Sequence, residues 1–399
     1  MNIAIQFGAG NIGRGLMGQL FFEADYETVF IEYKKDLVTE LNKKKRYPLR
    51  LLDAYSRREI DIEIRNIRAL HTDEREEIAE LLSTAEVVGT AVGVKNLSEI
   101  APLIAGGVVR RHRKEGGPID IYLCENAYSA ASDLKAEVFK RLKKDLIAWT
   151  EKNIGFVGTS VARMVPALSD RFKDRGPLFT FADSYRKLPY DGKAVRAKQP
   201  PIEGMKAVSN FKAEVERKLF TYNLGHAALA YIGYMKGYSY VHEPFSDPYL
   251  SSIFEEALDE TSEALLRMYP DDLDAEEQKD IREDVRIRFS NPMVMDTVQR
   301  VGRDPIRKLG FDDRLIGSAR LCIQQNIFPE KIAFICGAAY CYDYPGDADA
   351  LKLQEMIGEK GIEGTLREVS GVDPESNFGR KVVTAYYELR KLKEEWRKG

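Results

Sequence analysis

Hydrophobic and polar positions divide the chain into a half with strand-like runs and a half with helical periodicity. Short apolar runs occur at 2–7, 27–33, 85–93 and 119–128. From about residue 200 onward the spacing is helical, most clearly at 211–237, 250–268, 273–289 and 350–359. Buried strands followed by a mainly helical half predict an α/β domain and then an α-helical one.

A glycine-rich turn directly follows the first apolar run. Gly8, Gly10 and Gly13 form the pattern GxGxxG between a strand and a helical pattern. In this context the first glycine allows the turn, the second lets the backbone approach a pyrophosphate, and the third lets helix and strand pack closely. The helix N-terminus favours the phosphate charge. The residues predicted to bind a dinucleotide here are Gly8, Ala9, Gly10, Asn11, Ile12 and Gly13.

Two further strand ends are predicted to contact the cofactor. Glu32 ends the run "ETVFIEY", at the distance from the glycines where a carboxylate binds the adenosine ribose hydroxyls. This favours NAD over NADP, although Lys34 and Lys35 leave room for tolerance of a 2′-phosphate. The run 85–93 ends in small residues, so its backbone is predicted either to pass beneath the cofactor or to form a plain turn. Its predicted contacts are Thr90, Ala91 and Val92.

These observations predict a Rossmann-type N-terminal domain over residues 1–198 and a mainly helical domain over 199–399. Alternation around "IDIEIRNI" in segment 44–71 predicts a small antiparallel β insertion in the first domain. Pro200 and Pro201 mark a crossover between the domains. A chain of 399 residues is long enough for two cores. In such an arrangement the active site is expected in the cleft between the domains.

Three polar residues lie on the apolar arc of one predicted helix, which extends from about Val208 to Met235. Lys218, Asn223 and His226 fall within about 140° of one another at 100° per residue. Burial would lower the pKa of a lysine and make it usable as a base near neutral pH. The alternative is structural: the lysine reaches solvent, the asparagine caps a turn and the histidine belongs to the core.

Oxidation of an alcohol requires one group to take the hydroxyl proton and donors to hold the oxygen. Lys218 is the predicted base, and Asn223 is a predicted donor. Asn126 is a second predicted donor, because it follows the run 119–128 at a strand end where ligands of parallel sheets bind. His226 is predicted to bind a neighbouring hydroxyl of the substrate.

Composition excludes several classes of function. A net charge of −3, from 60 basic and 63 acidic residues, gives no electrostatic reason to expect nucleic acid. No apolar run approaches the ~20 residues of a membrane span, and no signal peptide is apparent. Four scattered cysteines without zinc-ligand spacing predict a reducing, cytoplasmic setting and no metal site.

Several phrases resemble the polyol-specific long-chain dehydrogenases, the mannitol dehydrogenase family. They are "FGAGNIGRG", "TAVG", "CENA", "VARMVP", "NPMVMDTVQRVGRDPIRKL" and Lys-x4-Asn-x2-His at 218–226. The resemblance implies a metal-independent, NAD-dependent enzyme, often a monomer, that interconverts D-mannitol 1-phosphate and D-fructose 6-phosphate. It implies Lys218 as general acid/base, Asn126 and Asn223 polarising the reacting oxygen, and His226 positioning the substrate.

The phosphate end of the substrate is expected to meet arginines. Arg300, Arg303, Arg307, Lys308 and Arg314 cluster in "QRVGRDPIRKLGFDDRL", and guanidinium groups suit a phosphate dianion. An ordinary basic surface balanced by neighbouring aspartates is the alternative. The predicted substrate-binding residues are Arg307, Arg303 and Arg163.

One residue departs from the family pattern. Ala162 stands where the family usually has aspartate in Val-Asp-Arg, so Arg163 is expected to be unpaired or rerouted. The departure keeps two alternatives open. One is a relative acting on free mannitol and fructose or on a hexuronate such as fructuronate, and the other is a catalytically weakened nucleotide-binding relative.

Overall fold

The computed structural model describes residues 2–166 and 170–396. The chain divides into two compact units, Met1–Glu214 and Val215–Gly399, termed here the N-terminal and C-terminal units. The sequence prediction places this division at residues 198 and 199.

Strands and helices alternate through the N-terminal unit. Its strands are β1 (Ile3–Phe7), β2 (Glu27–Glu32), β3 (Arg46–Asp53), β4 (Arg58–Arg65), β5 (Ile67–His71), β6 (Val87–Thr90), β7 (Ile119–Leu123), β8 (Ile154–Gly158), β9 (Thr180–Asp183), β10 (Leu188–Asp191) and β11 (Met205–Val208). Its helices are α1 (Gly18–Glu23), which follows a π-helical turn at Gly13–Met17, α2 (Lys35–Lys44), α3 (Arg75–Thr84), α4 (Leu97–Arg113), α5 (Ala130–Phe139) and α6 (Lys144–Asn153).

The central sheet has the order β5-β2-β1-β6-β7-β8, and every pairing in it is parallel. In β1, for example, Ile5 lies between Val29 of β2 and Val88 of β6. Apolar clusters cover both faces of this sheet, which explains why its strands are continuous apolar runs rather than alternating ones. The predicted Rossmann-type architecture is confirmed.

The predicted antiparallel insertion is also present. β3 and β4 pair antiparallel from Arg46–Arg65 to Asp53–Arg58. β9 joins β3 in parallel and completes a three-stranded sheet, while β10 and β11 form a separate parallel pair. The segment 176–205, which the sequence marks only as mixed, thus supplies an outer strand to the insertion.

The C-terminal unit is built from helices. They are α7 (Phe211–Lys218), which begins just before the unit boundary, a π-helical turn (Leu219–Asn223), α8 (Leu224–Lys236), α9 (Pro248–Met268), α10 (Ala275–Phe289), α11 (Val298–Gly302), α12 (Pro305–Lys308), α13 (Ile316–Gln324), α14 (Glu330–Tyr340), α15 (Ala348–Ser370) and α16 (Asn377–Trp396). None of the helices in the described ranges is long and apolar enough to cross a membrane.

Two helix predictions need correction. Val208, predicted as the start of the long helix, is the last residue of β11; α7 begins three residues later, where Asn210 Oδ1 accepts the Ala213 N–H at 3.3 Å. The helix predicted at 350–359 extends to Ser370 with a break at Gly361, where φ is +69°. A glycine adopts this left-handed conformation without steric cost, so the chain continues as a second helical segment.

α8 is the central helix of the C-terminal unit. It packs against α9, α11 and α14, and its residues from Ala227 to Gly233 are buried on every side. The sequence predicts burial on one arc of this segment, but α8 is buried on all sides. A helix surrounded by other helices is apolar all round. Gly237, with φ +85°, ends it.

Candidate functional site

Three glycines shape the turn after β1. Gly8 has φ +86°, and a Cβ there would lie 2.6 Å from the carbonyl oxygen of Ala91. A Cβ on Gly13 would lie 2.0 Å from the carbonyl oxygen of Gly8, whereas a Cβ on Gly10 would meet nothing within 4 Å. Packing therefore requires Gly8 and Gly13, while Gly10 leaves the backbone open to an external group.

Glu32 is buried against this turn at the end of β2. Its Oε2 accepts the N–H of Ala9 at 2.9 Å, and its Oε1 accepts the N–H groups of Tyr33 and Lys34 at 3.0 Å each. A carboxylate offers about four acceptor positions, so acceptor capacity remains for a ligand hydroxyl. The three backbone bonds fix the carboxylate beside the glycine turn, the position for which ribose binding is predicted.

Glu125 joins the ends of β6 and β7. Thr90 Oγ1 donates to its Oε2 at 2.7 Å, and the N–H of Val92 donates to its Oε1 at 2.9 Å. Burial raises the pKa of Glu125, and the hydrogen bonds from Thr90 and Val92 oppose that shift. Glu125 thereby holds Thr90 and Val92, which are predicted to run beneath the cofactor, close to the end of β7. Asn126 follows directly in the chain.

The glycine turn, Glu32 and Thr90 all stand at the carboxyl edge of the central sheet. The chain runs from β1 outward to β2 and β5, then crosses back to β6 on the other side of β1. Ligands of open parallel sheets bind at such a switch point. With the open approach at Gly10, the N-terminal unit fits a dinucleotide cofactor.

In the C-terminal unit, a π-helical turn separates Lys218 from Asn223. The N–H of Leu224 bonds to the carbonyl oxygen of Leu219, five residues earlier, instead of four as in an α-helix. Residues five apart therefore stand one turn apart along the helix. This places Lys218 and Asn223 on the same side, and His226 follows three residues later in α8, where i,i+3 neighbours share a face.

Lys218 is partly buried at the end of α7. Burial lowers the pKa of Lys218 to about 7; the charge of Arg314 lowers it further and that of Asp313 opposes the shift. An amine with this pKa is largely unprotonated just above neutral pH, so it can both accept and return a proton.

His226 lies beside an aspartate that the sequence did not indicate. Its Nε2 lies 3.1 Å from Asp296 Oδ2, and its ring stacks on Phe289 at 4.7 Å between centroids. Burial lowers the pKa of His226, and the negative charge of the nearby Asp296 carboxylate partly offsets this. Asp296 also pairs through both oxygens with the guanidinium of Arg300.

The basic residues between 300 and 314 differ strongly in exposure. Arg314 is buried, with Nε 2.8 Å from Asp313 Oδ1, and Asp313 Oδ2 lies 3.0 Å from Arg307 Nη1. Arg307 is half exposed, and Arg303 has 64% of its side chain exposed. Lys308 is buried and donates to the carbonyl oxygen of Arg303; burial lowers the pKa of Lys308 to about 7.

Family models match both units. Residues 2–204 match the mannitol dehydrogenase Rossmann domain and residues 210–390 match the mannitol dehydrogenase C-terminal domain. The chain belongs to the mannitol dehydrogenase family. Relatives include the mannitol-1-phosphate 5-dehydrogenases of Caldanaerobacter subterraneus subsp. tengcongensis (35% identical, covering 97% of this chain and 98% of that one) and Bacillus licheniformis (36%, covering 96% and 99%).

Solved structures share the fold at low sequence identity. D-sorbitol dehydrogenase in substrate-free form superimposes with a TM-score of 0.81 at 17% identity, covering 98% of this chain and 94% of that one. Pseudomonas fluorescens mannitol 2-dehydrogenase, in a ternary complex with NAD and D-mannitol, has a TM-score of 0.72 at 17% identity, covering 100% and 94%. These likenesses extend to both halves of the mannitol dehydrogenase fold.

Arg163 is placed where its guanidinium has protein partners. It is buried within the N-terminal unit, where Nε donates to the Asp183 carbonyl oxygen at 2.9 Å and Nη1 donates to Gln19 Oε1 at 2.8 Å. Arg163, expected to be unpaired or rerouted, is thus paired within the N-terminal unit. With 1% of the side chain exposed, Arg163 offers no surface to a substrate in this conformation.

Sequence reasoning missed Asp296 and gave Asp313 only the role of a balancing charge. The one available signal for Asp296 is its place four residues before Arg300, since opposite charges at i,i+4 pair on a helix. No signal in the sequence connects Asp296 to His226. Among the described residues, no group of three or more His, Cys, Asp or Glu side chains is arranged to hold a metal ion.

Proposed function

We propose that this chain is an NAD-dependent oxidoreductase that interconverts D-mannitol 1-phosphate and D-fructose 6-phosphate. The observation that carries the proposal is the lowered pKa of Lys218: burial brings it to about 7. Lys218 also lies one helical turn from Asn223. Membership of the mannitol dehydrogenase family supports a polyol substrate. The names of relatives at 35% and 36% identity support the phosphate ester.

Lys218 is proposed as the general acid/base. Bound NAD supplies the acceptor for the hydride that leaves the carbinol carbon. In polyol oxidation the unprotonated Lys218 Nζ takes the hydroxyl proton, and in ketose reduction the Lys218 ammonium group returns it. The lowered pKa of Lys218 supports this role, because both protonation states are then populated near neutral pH.

The amides of Asn223 and Asn126 are proposed to donate to the substrate oxygen as charge develops on it. Donors fixed before the reaction need no reorganisation at the transition state. The π-helical turn supports this role for Asn223, and the strand end at β7 supports it for Asn126. His226, held by Asp296, is proposed to bind a neighbouring hydroxyl in a defined ring orientation.

Arg307 and Arg303 are proposed to bind the substrate phosphate. Their guanidinium groups are partly exposed and so are accessible to a ligand. Arg300 pairs with both carboxylate oxygens of Asp296, and Arg314 is buried beside Asp313, which favours a supporting role for these two arginines. On the cofactor side, Glu32 is proposed to favour NAD, because a carboxylate beside the ribose repels a 2′-phosphate.

The substrate assignment is tested by NADH oxidation with fructose 6-phosphate, free fructose and fructuronate, measured side by side. We expect kcat/KM for the phosphate to exceed that for either other ketose by at least about 100-fold, since bidentate arginine contacts are strong. A wide preference for fructose or fructuronate would assign the chain to another polyol or hexuronate reaction.

The catalytic assignment is tested by Lys218→Ala, with Lys212→Ala as the matched control. Lys212 is exposed on the same helix, six residues earlier. Lys218→Ala should lower kcat by several orders of magnitude while NADH binding, followed by fluorescence titration, is retained. Lys212→Ala should change kcat by less than about twofold. A wild-type protein that binds NADH but turns over none of the three ketoses would be a nucleotide-binding relative.

A further inference from the structure

The π-helical turn Leu219–Asn223 decides which residues of this helix face the same way. In a regular α-helix, residues five apart are rotated by about 140° from one another. The bond from the Leu224 N–H to the Leu219 carbonyl oxygen widens the turn to five residues. Lys218 and Asn223 are five apart, so this turn brings them closer together around the helix than the roughly 140° of regular α-helical geometry.

Thr221, in the middle of the π-turn, is tied to two other helices through one buried amide. Gln278 Nε2, from α10, donates to Thr221 Oγ1 at 3.2 Å and to Ser262 Oγ, from α9, at 3.0 Å. Thr221 is fully buried and Gln278 is 1% exposed. A hydrogen bond excluded from water is electrostatically stronger than an exposed one, so this connection resists rearrangement of the turn.

The next residue of the π-turn is tied to the same helix. Tyr222 Oη donates to Asp284 Oδ2 at 3.1 Å, and Arg288 Nη1 donates to that oxygen at 3.1 Å. The guanidinium of Arg288 also lies 5.3 Å from the centroid of the Tyr222 ring. Two consecutive residues of the turn, Thr221 and Tyr222, are therefore held by α10. Their partners on that helix are Gln278 and Asp284.

The amide of Gln278 is only partly satisfied by hydrogen bonds. Its Oε1 is buried and has no hydrogen-bond partner among the described residues. A buried polar atom without a partner lowers stability, and an apolar side chain of similar size would avoid that cost. The amide nevertheless makes two hydrogen bonds that join α9, α10 and the π-turn, which an apolar side chain of the same size could not make.

We infer that Gln278, acting through Thr221, is a positioning residue that holds the π-turn and so keeps Lys218 and Asn223 on one face of the helix. This inference rests on the proposed roles of Lys218 and Asn223 in proton transfer and oxygen binding. Without the clamp, the helix can relax to regular α-helical geometry and turn the two side chains apart.

Two variants remove the clamp with little change in volume. Gln278→Met keeps the length of the side chain without its amide, and Thr221→Val removes only the hydroxyl. Thr221→Ser, which retains the hydroxyl, is the matched rescue variant. We expect the first two to lower kcat for fructose 6-phosphate reduction about tenfold or more, with NADH affinity unchanged within about twofold. Thr221→Ser should stay within about threefold of wild type.

Lysine reactivity gives a readout that does not depend on turnover. The pH dependence of acylation of Lys218 by acetic anhydride, followed by peptide mass spectrometry, reports its pKa. In Gln278→Met and Thr221→Val the midpoint should move upward by about one pH unit, because a displaced lysine gains contact with water. In Thr221→Ser the midpoint should stay at the wild-type value.

The outcomes separate the clamp from the proposed function. If wild type reduces none of the three ketoses while the acylation midpoint still shifts in the variants, the proposed function fails and the clamp stands. If kcat and the acylation midpoint both stay at wild-type values, the clamp is overturned, even where the thermal midpoint falls. Thr221→Val, the smaller change, decides the question if Gln278→Met does not fold.

Discussion

His226 Nε2 lies 3.1 Å from Asp296 Oδ2, although α9 and α10 separate the two residues along the chain. The same carboxylate pairs with Arg300 through both of its oxygens. Burial by itself would raise the pKa of Asp296, but the hydrogen bonds and charges of His226 and Arg300 outweigh it and lower the pKa to about 2. Asp296 is therefore ionised at neutral pH, where its charge acts on both His226 and Arg300.

Asp296→Asn should impair substrate binding and turnover together. The amide keeps the shape of the side chain but loses the charge that orients His226 and holds Arg300. We expect kcat/KM for fructose 6-phosphate to fall about 10- to 100-fold, which corresponds to 1.4–2.8 kcal/mol. Steady-state kinetics with NADH as the fixed substrate measures this. Asp271→Asn, at an exposed site between α9 and α10, should change it by less than about twofold. Equal losses in both variants would contradict the role given to Asp296.

The same carboxylate should make the free energy of unfolding depend on pH in acid. Because the folded-state pKa of Asp296 is lowered from its usual 3.8 to about 2, its stabilising contribution is complete above about pH 4 and is lost as pH falls toward 2. The loss amounts to about 2 kcal/mol. Urea unfolding of wild type and Asp296→Asn at pH 5 and pH 2.5 measures this contribution to the free energy of unfolding. The difference between the two proteins should shrink at the lower pH; a constant difference would show that Asp296 does not titrate in this range.

The rate of polyol oxidation should follow the ionisation of Lys218. Burial lowers the pKa of Lys218 to about 7, so the unprotonated base accumulates as pH rises through that value. Oxidation of mannitol 1-phosphate should therefore increase from pH 6 to 8, and ketose reduction, which requires the protonated form, should decrease. A primary deuterium isotope effect on kcat/KM shows where chemistry limits the rate. A flat profile between pH 6 and 9 under those conditions would exclude Lys218 as the base.

Two alanine variants in the glycine turn should separate cofactor binding from folding. A Cβ at Gly13 would lie 2.0 Å from the Gly8 carbonyl oxygen, so Gly13→Ala should lower the thermal midpoint by several degrees. A Cβ at Gly10 has no neighbour within 4 Å, so Gly10→Ala should keep the midpoint and weaken NADH binding about tenfold or more. Thermal unfolding and fluorescence titration measure the two effects. NADH affinity unchanged in Gly10→Ala would place the cofactor elsewhere.

Glu32 should control the preference between the two nicotinamide dinucleotides. Glu32→Gln removes the charge beside the predicted ribose position but retains an acceptor for the Ala9 N–H. The ratio of kcat/KM for NADH to that for NADPH should fall at least about tenfold. Glu27→Gln, at the start of the same strand, loses a bond to Arg68 instead and should leave the ratio unchanged. A ratio that is unaltered in Glu32→Gln would show that another group reads the ribose.

Local signals in the chain were sufficient for part of the N-terminal unit. The positions of β1, β2 and β7 follow from apolar runs, and the roles of Gly8 and Gly13 follow from backbone geometry that depends on near neighbours. The hairpin of β3 and β4 follows from alternation, but the addition of β9 to it does not. That pairing joins segments more than a hundred residues apart, and no local pattern specifies it.

The sequence by itself determined the parallel sheet, the glycine turn and the helical second half, because periodicity and spacing carry that information. It also indicated Lys218, Asn223 and His226 as candidate site residues. Only the tertiary structure decided that a π-helical turn brings Lys218 and Asn223 closer together around the helix, and that Asp296 lies beside His226. A π-turn contains one residue more than an α-turn and adds no local sequence signal of its own, so hydrogen bonds of Thr221 and Tyr222 with α10 can select it where helix propensity cannot. The Asp296 pair depends on packing between distant helices, which brings together residues that the chain leaves far apart.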